Sequence, residues 1–593
     1  MIRVVAVLSA VFVVLVYSKE LPAKDPRIPR ALTSCANYIS HQEIGELLKG
    51  YEETFPDIAR AFSIGTSIEG REIWAILLSA GPDVESIEPE IRIVGGIHGN
   101  ECMSVELVVE IIEVLVGNYG DDEFTSDLID GAEIVFVPVI NPDGYSGDSA
   151  ARVNANGVDL NRNLGFAWTG EGSAPFSEPE TRAVRDLSLD SSFVLGLSYH
   201  TVASYVNAPW NYTPFHPADE DLFQAIGEAY AGSSGYKVTF GWDWYGIYGD
   251  LNDWSLGTTG TFDWTIEMRS DRDMQEAVHA SGLAGFLSFA FIGINGVVTD
   301  SATGEPLRAR ILVDPEGAPI FTDPDVGDYH RILLPGTYSL TALSPGYETT
   351  VVHNIVVPDE GTVSVDFQLD PSDEAAPNYA FAVNAMTLPR EIGIRFKTVQ
   401  YLNDTMVWDT LGPPDGWVYS LSPGGSITVD MGPGSLIEDT DGPDLQILSG
   451  TYSEDPARVL VAADADGPFC DVADGKGSIF ADIAPCGLEA IRYVRIVDEG
   501  NGLFNDENPG YDLDAVADIT RAPVPPDAGP APDTDVDIDT DVDADADSDT
   551  DSDVDSGDDG LSYSAAGCGC IATGAPQRGS VSRLLTMLLA VTE

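Results

Sequence analysis

At 593 residues the chain exceeds what one hydrophobic core usually holds, so three or four domains are expected. Hydrophobic residues at 44% and aromatics at 9% belong to a globular protein and not a disordered one. A formal charge of -68 leaves no basic face to displace counterions from phosphate, which excludes nucleic acid as a partner.

At the N-terminus, Arg3 precedes a run of about a dozen apolar residues, the pattern of a secretory signal peptide over 1–20; the run is short for a membrane span. Six cysteines fit an oxidising compartment. Cys470 and Cys486 form one candidate pair and Cys35 with Cys102 a second, although connectivity is not fixed by sequence.

A helix is expected to open at Ser40, where Ser40 and Glu43 make a capping box. Up to residue 292, apolar strands then alternate with amphipathic helices. Strands are expected at 73–80, 91–96, 132–140, 193–200 and 261–268, and helices at 104–116 and 219–232. This alternation predicts an α/β domain over 35–292 with a mixed sheet flanked by helices. Residues 293–370 change to short β segments with Gly and Pro turns, the texture of an all-β sandwich, and 379–520 read as a second one. In that second sandwich Asp512 and Asp514 are candidate ligands for sugar, peptide or calcium, with a plain structural role the better reading. Aspartate at every second position between Asp533 and Asp555 marks 523–560 as a disordered acidic linker, since like charges at that density prevent a core. Residues 561–593 carry Cys568 and Cys570 and a short apolar run.

Two of the seven histidines have suggestive company. His98 and Glu101 form an H-x-x-E directly after the strand ending in Gly95–Gly96, and His200 closes the strand at 193–200. Ligand sites of open α/β sheets lie beyond the carboxyl ends of strands. Two imidazoles and a carboxylate there suit a zinc site with an open position. Alone, H-x-x-E is a weak signal. His41, His216, His279, His330 and His353 lack such neighbours and read as structural or surface residues.

Six pieces in order make the pattern specific: GGIHGNE (95–101), NPDGY (141–145), ARVNANGVDLNRN (151–163), SYHT (198–201), WYGIYGDLNDW (244–254) and FDWTIEMRS (262–270). Together they resemble the zinc metallocarboxypeptidases, nearest the carboxypeptidase N/E-like branch. The resemblance implies one zinc ion held by His98, Glu101 and His200, with Glu267 as general base. It implies Arg152 at the scissile carbonyl, and Asn161 with Arg162 gripping the substrate's terminal carboxylate. The phenol that closes over the substrate falls on Tyr245 by spacing, with Tyr248 as competitor. Asn211 and Asn252 fall at substrate-binding positions. Basic-residue-cutting relatives carry an acid where Asn211 stands, so a basic preference is not expected. Residues 293–370 resemble the transthyretin-like domain of the same branch, and 561–593 resemble myxobacterial-type C-terminal sorting tails, with Cys568 the candidate processing residue.

The expected protein is a monomeric, secreted or cell-surface bacterial peptidase that hydrolyses the C-terminal bond of peptides or proteins and attaches to the surface through its tail. Two rival readings stand beside it: a cell-wall peptide hydrolase of the same fold, and a catalytically inactive surface-binding protein.

Overall fold

The computed structural model describes residues 35–520, apart from 147–149, 202, 233–234, 270–281, 316, 373–377, 389–406, 415–417, 422, 433–434, 450–454 and 501–509. The signal peptide, His279, the acidic linker, Cys568 and the C-terminal tail lie outside the described residues.

Helix α1 (His41–Thr54) opens as the sequence predicts, with Ser40 and Glu43 exchanging side-chain and backbone hydrogen bonds. Strands β1 (Ala59–Thr66), β2 (Glu72–Leu78) and β3 (Glu90–Val94) follow, then helices α2 (Cys102–Asn118) and α3 (Glu123–Asp130) and strand β4 (Glu133–Val137). Helix α4 (Pro179–Asp190), strands β5 (Phe193–Thr201) and β6 (Tyr205–Ala208), helix α5 (Glu220–Ala231), and strands β7 (Lys237–Phe240) and β8 (Phe262–Met268) complete the α/β domain. The eight strands form one mixed sheet in the order β1-β2-β4-β3-β5-β8-β6-β7. Its centre, β4-β3-β5-β8, is parallel. Every residue of β3 and β4 is buried, the charged Glu90, Arg92 and Glu133 among them, so these strands read as apolar runs broken only by those three residues. Cys35 is bonded to Cys102, tying the start of the domain to α2.

Chain connections leave β3 in two directions: β4 pairs on one side and β5 on the other. A crevice opens beyond the carboxyl ends at such a switch point. The expected strands at 91–96 and 132–140 end earlier than their apolar content suggests. Gly96 takes a left-handed φ of 58°, and Gly95 and Ile140 turn into loop hydrogen bonds that lead the chain towards the crevice.

Residues 293–369 form two facing sheets with a separate apolar core around Val298, Ile311, Leu340 and Phe367. Arg331 from this domain meets Asp219 at 2.5 Å, both buried, and lies over the Phe262 ring. The next domain, from Asn378 to Asp518, has two five-stranded sheets and the Cys470–Cys486 bridge. Its core is continuous with that of the α/β domain. The two also share backbone bonds: Trp168 N–H donates to Met386 O at 3.1 Å and Leu388 N–H to Trp168 O at 2.8 Å. Asp512 accepts from the Ser420 hydroxyl and Asp514 is buried, so neither is presented as an open ligand.

Candidate metal centre and cleft

The loop after β3 must pass close to another backbone. A Cβ on Gly99 would sit 2.2 Å from the carbonyl carbon of Gly144, so only glycine fits between His98 and Glu101. This packing turns both ligand candidates inward. The parallel register of β5 and β8 sets His200 directly opposite Glu267 at the strand ends.

The three predicted ligands converge. His98 Nδ1 is 3.2 Å from His200 Nδ1 and 3.0 Å from Glu101 Oε1, while His200 Nδ1 is 3.2 Å from Glu101 Oε2. Two ligand atoms on a tetrahedral zinc at bonds of about 2.0–2.1 Å lie about 3.3 Å apart, so the donor set fits that ion. All three side chains are buried. Burial opposes charge on Glu101, yet His98 and His200 hold its carboxyl well below the usual range.

The far nitrogens are fixed too. His98 Nε2 is 3.1 Å from Asp159 Oδ1, and His200 Nε2 is 3.1 Å from Ser198 Oγ. Such outer partners set the ring tautomer and orientation of a metal-binding histidine. Asp159 also accepts from Arg152 Nε at 2.8 Å, and Arg152 Nη1 stands 3.7 Å from Glu101 Oε1. Burial would raise the Asp159 carboxyl, but His98, Arg162 and Arg152 outweigh it and hold it low.

A cleft of about 250 Å³ opens over this centre, lined by His98, Glu101, His200, Arg152, Asn161, Arg162, Asn211, Tyr245 and Glu267 among others. Nine of the ten predicted site residues therefore share one cavity. Burial raises the Glu267 carboxyl above its ordinary value, with His200 pulling it back. Asn161 is locked by its Oδ1, which accepts from Leu251 N–H at 3.0 Å, and its own carbonyl accepts from Arg162 Nη1 at 2.6 Å. Tyr245 is 44% exposed at the rim, whereas Tyr248 packs against the core and does not line the cleft.

Asn252 is the exception. It stands behind the wall, its Oδ1 accepting from Asn211 Nδ2 at 2.7 Å, and does not line the cavity. It lies on the short helical turn Leu251–Trp254, which points it away from the opening. Asp250, at the head of that turn, lines the cleft instead. Sequence reading passed over Asp159 and Asp250. The first sits two residues before Asn161, and the second lies inside the aromatic-rich stretch that carries Tyr245, so each had motif proximity as its signal.

Fold and donor set together define an α/β protein with an open His₂Glu metal centre. The chain belongs to the zinc carboxypeptidase family: that family's profile matches residues 44–288, and a carboxypeptidase regulatory-like domain matches 293–370. Carboxypeptidase N catalytic chain of Mus musculus is 32% identical over 375 residues, covering 53% of this chain and 82% of that protein. Carboxypeptidase D of Mus musculus is 32% identical over 374 residues, covering 56% of this chain but only 27% of that longer protein. A crystal structure of carboxypeptidase A from Helicoverpa armigera aligns over 43% of this chain and 74% of its own, at 24% identity and a TM-score of 0.39.

Proposed function

We propose that this protein is an exported zinc carboxypeptidase that removes single residues from peptide C-termini. The observation that carries the reading is one cleft in which a His₂Glu centre, the Glu267 carboxylate and the Asn161–Arg162 pair face the same space. Export is supported by the apolar N-terminal run and by the two disulfides.

A zinc ion held by His98, Glu101 and His200 would supply Lewis-acid polarisation and acidify water towards a pKa of about 7. Arg162 binds the substrate's terminal carboxylate with its guanidinium fork, and Asn161 adds an amide donor. That grip limits cleavage to the last bond. Arg152, anchored through Nε on Asp159, points its remaining donors at the scissile carbonyl oxygen, where negative charge develops. A donor in that role contributes about 2.7–4 kcal/mol to lowering the barrier. Glu267 takes the proton of the attacking water on its carboxylate and delivers it to the leaving nitrogen; its raised affinity for a proton suits both halves of the transfer. Tyr245, exposed at the rim with its ring edge-on to Trp244, closes over the bound end.

The test is Glu267→Gln. The variant should bind zinc as the wild type does and release no C-terminal residue from short peptides. Full turnover by it would remove Glu267 from the mechanism, and a wild-type protein that cuts internal bonds would remove the carboxylate grip.

A further inference from the structure

Away from the metal cleft, a cavity of about 30 Å³ lies where the three folded domains meet. Ser191 and Thr258 line it from the α/β domain, Arg308 and Thr322 from the second domain, and Asn384 and Asp430 from the third. Most of its wall is polar. A water needs about 10–15 Å³ of such space, so two or three atoms of that size fit.

Two groups in this wall have their hydrogen-bonding capacity unspent. Thr258 is 6% exposed, and its hydroxyl is buried without a hydrogen-bond partner. Arg308 Nε is likewise buried and unpartnered, and Arg308 forms no ion pair among the described residues. Burial opposes the charge of that guanidinium, and a desolvated cation is costly unless it is paired.

The neighbouring acids do not pair it. Asp430 is held in a fork by Arg492, whose Nε and Nη2 each donate to it at 2.7 Å, and its Oδ1 also accepts from Gly432 N–H at 2.8 Å. Asp190, the other acid whose field reaches Arg308, is exposed, where salt screens it. The end of α4 borders the cavity, and its partial negative charge favours a cation there. That explains a positive residue at this place but makes none of its hydrogen bonds. Water would give Arg308 an acceptor without a counter-charge. An oxyanion gives both, and its remaining oxygens can accept from the Thr258 hydroxyl and the Asn384 amide.

We propose that this junction is a binding site for a small oxyanion, a free tetrahedral anion or a carboxylate group, held by Arg308 with Thr258 and Asn384. The cavity seats two or three oxygens of one such group. Because the three residues belong to three domains, the bound anion fastens both appendages to the α/β domain and stabilises the folded chain by mass action. The site is separate from the metal cleft, and the proposal does not depend on the exopeptidase reading.

The experiment titrates the full chain, loaded with zinc, with sodium sulfate or sodium acetate in a calorimeter, with sodium chloride holding the ionic strength constant. Saturable binding of one anion per chain is expected. Tighter binding of acetate would identify a carboxylate group as the occupant, and tighter binding of sulfate a free tetrahedral anion. Arg308→Met should weaken binding by at least about tenfold, the scale of a hydrogen bond to a charged group, and Thr258→Val by about 2–10-fold. Arg162→Met, which removes a cation from the metal cleft, should bind as the wild type does. Sulfate stabilises folded proteins in general, so thermal unfolding is read as a difference: its rise in melting temperature should be larger for the wild type than for Arg308→Met. No saturable binding overturns the proposal, as does equal binding by Arg308→Met. Loss of binding in Arg162→Met with retention in Arg308→Met would place the anion in the metal cleft and overturn it too. Should Arg308→Met not fold, the stoichiometry and Thr258→Val decide, and undiminished affinity in Thr258→Val then overturns the site.

Discussion

The indole of Trp408, from the third domain, packs against that of Trp210 in the α/β domain, with ring centroids 6.1 Å apart. Trp408 Nε1 also donates to Gly257 O at 2.9 Å. Trp210 is one residue from Asn211, and the backbone here holds the rim of the cleft: Trp210 O accepts from Trp242 N–H and Asn211 O from Ile247 N–H. The third domain thus braces the segment that carries Trp244, Tyr245 and Ile247. Trp408→Ala should lower kcat/KM by about tenfold, because small displacements of positioning groups are costly, and should act mainly through KM. Zinc content should stay unchanged. Trp408→Phe should recover most of the loss. Unaltered peptide kinetics in Trp408→Ala would make the contact purely structural.

A second prediction concerns the acid behind the metal centre. Asp159 connects His98 to Arg152 through its two oxygens. Asp159→Asn keeps the shape but removes the charge that orients the His98 ring. Zinc affinity should fall by about 10–100-fold, the usual cost of losing such a partner. Competition with a chelator measures it. Affinity equal to wild type would leave Asp159 to hold Arg152 and cap the Asn161 N–H, with no part in the metal centre.

Much of this centre was legible because its chemistry is concentrated in short runs. Gly95, Gly96 and Gly99 around His98 announce a backbone under tight constraint, and β3 and β5 are apolar enough to be read without a template. Strands β1, β6 and β7 carry no such pattern. β1 is only partly buried and β6 and β7 are four residues long, so tertiary pairing and not local periodicity decides them. The exchange between Asn252 and Asp250 was hidden for a different reason. Which side chain of a one-turn helix meets the cleft depends on the entry angle of the chain, here set by Leu251 N–H bonding to Asn161, ninety residues earlier. The shared core of the first and third domains was equally invisible, since no local pattern records which apolar faces meet.

Beneath the sheet lies a third test. Arg92 Nη2 meets Asp263 Oδ2 at 2.5 Å with both side chains buried, and Ser255 Oγ donates to the same carboxylate at 2.8 Å. Gly196 leaves the room: a Cβ there would come within 2.5 Å of the Asp263 carboxyl carbon. Removing one member of a buried pair leaves an uncompensated charge and costs about 3–5 kcal/mol. Arg92→Met should show that loss in denaturant unfolding. Arg92→Met combined with Asp263→Leu should lose less than the single change. A double variant weaker than the single one would mean that packing and not charge governs the site.

The last prediction follows from acids gathered where the second domain meets the sheet. Glu90 and Glu133 begin β3 and β4 and face each other in the parallel register, and Asp323 comes from the second domain. Burial raises Glu90 well above the ordinary carboxylate range, and Asp323 adds to it. Asp323 is itself pushed up to about 6 by burial, although Val326 and Asp325 N–H groups donate to its Oδ1. A carboxyl whose pKa is higher folded than unfolded binds its proton more tightly in the folded state. The stability these groups contribute is therefore fully present in acid and is lost as pH rises from the ordinary carboxylate range through about 6. Asp323→Asn keeps the Oδ1 acceptor and removes the charge. Its melting temperature should match wild type at about pH 3, below the ordinary aspartate range, and exceed it at pH 8, with the gap opening between those values. A gap that stays constant, or that closes as pH rises, would show that these acids are not the groups that lose stability on ionising.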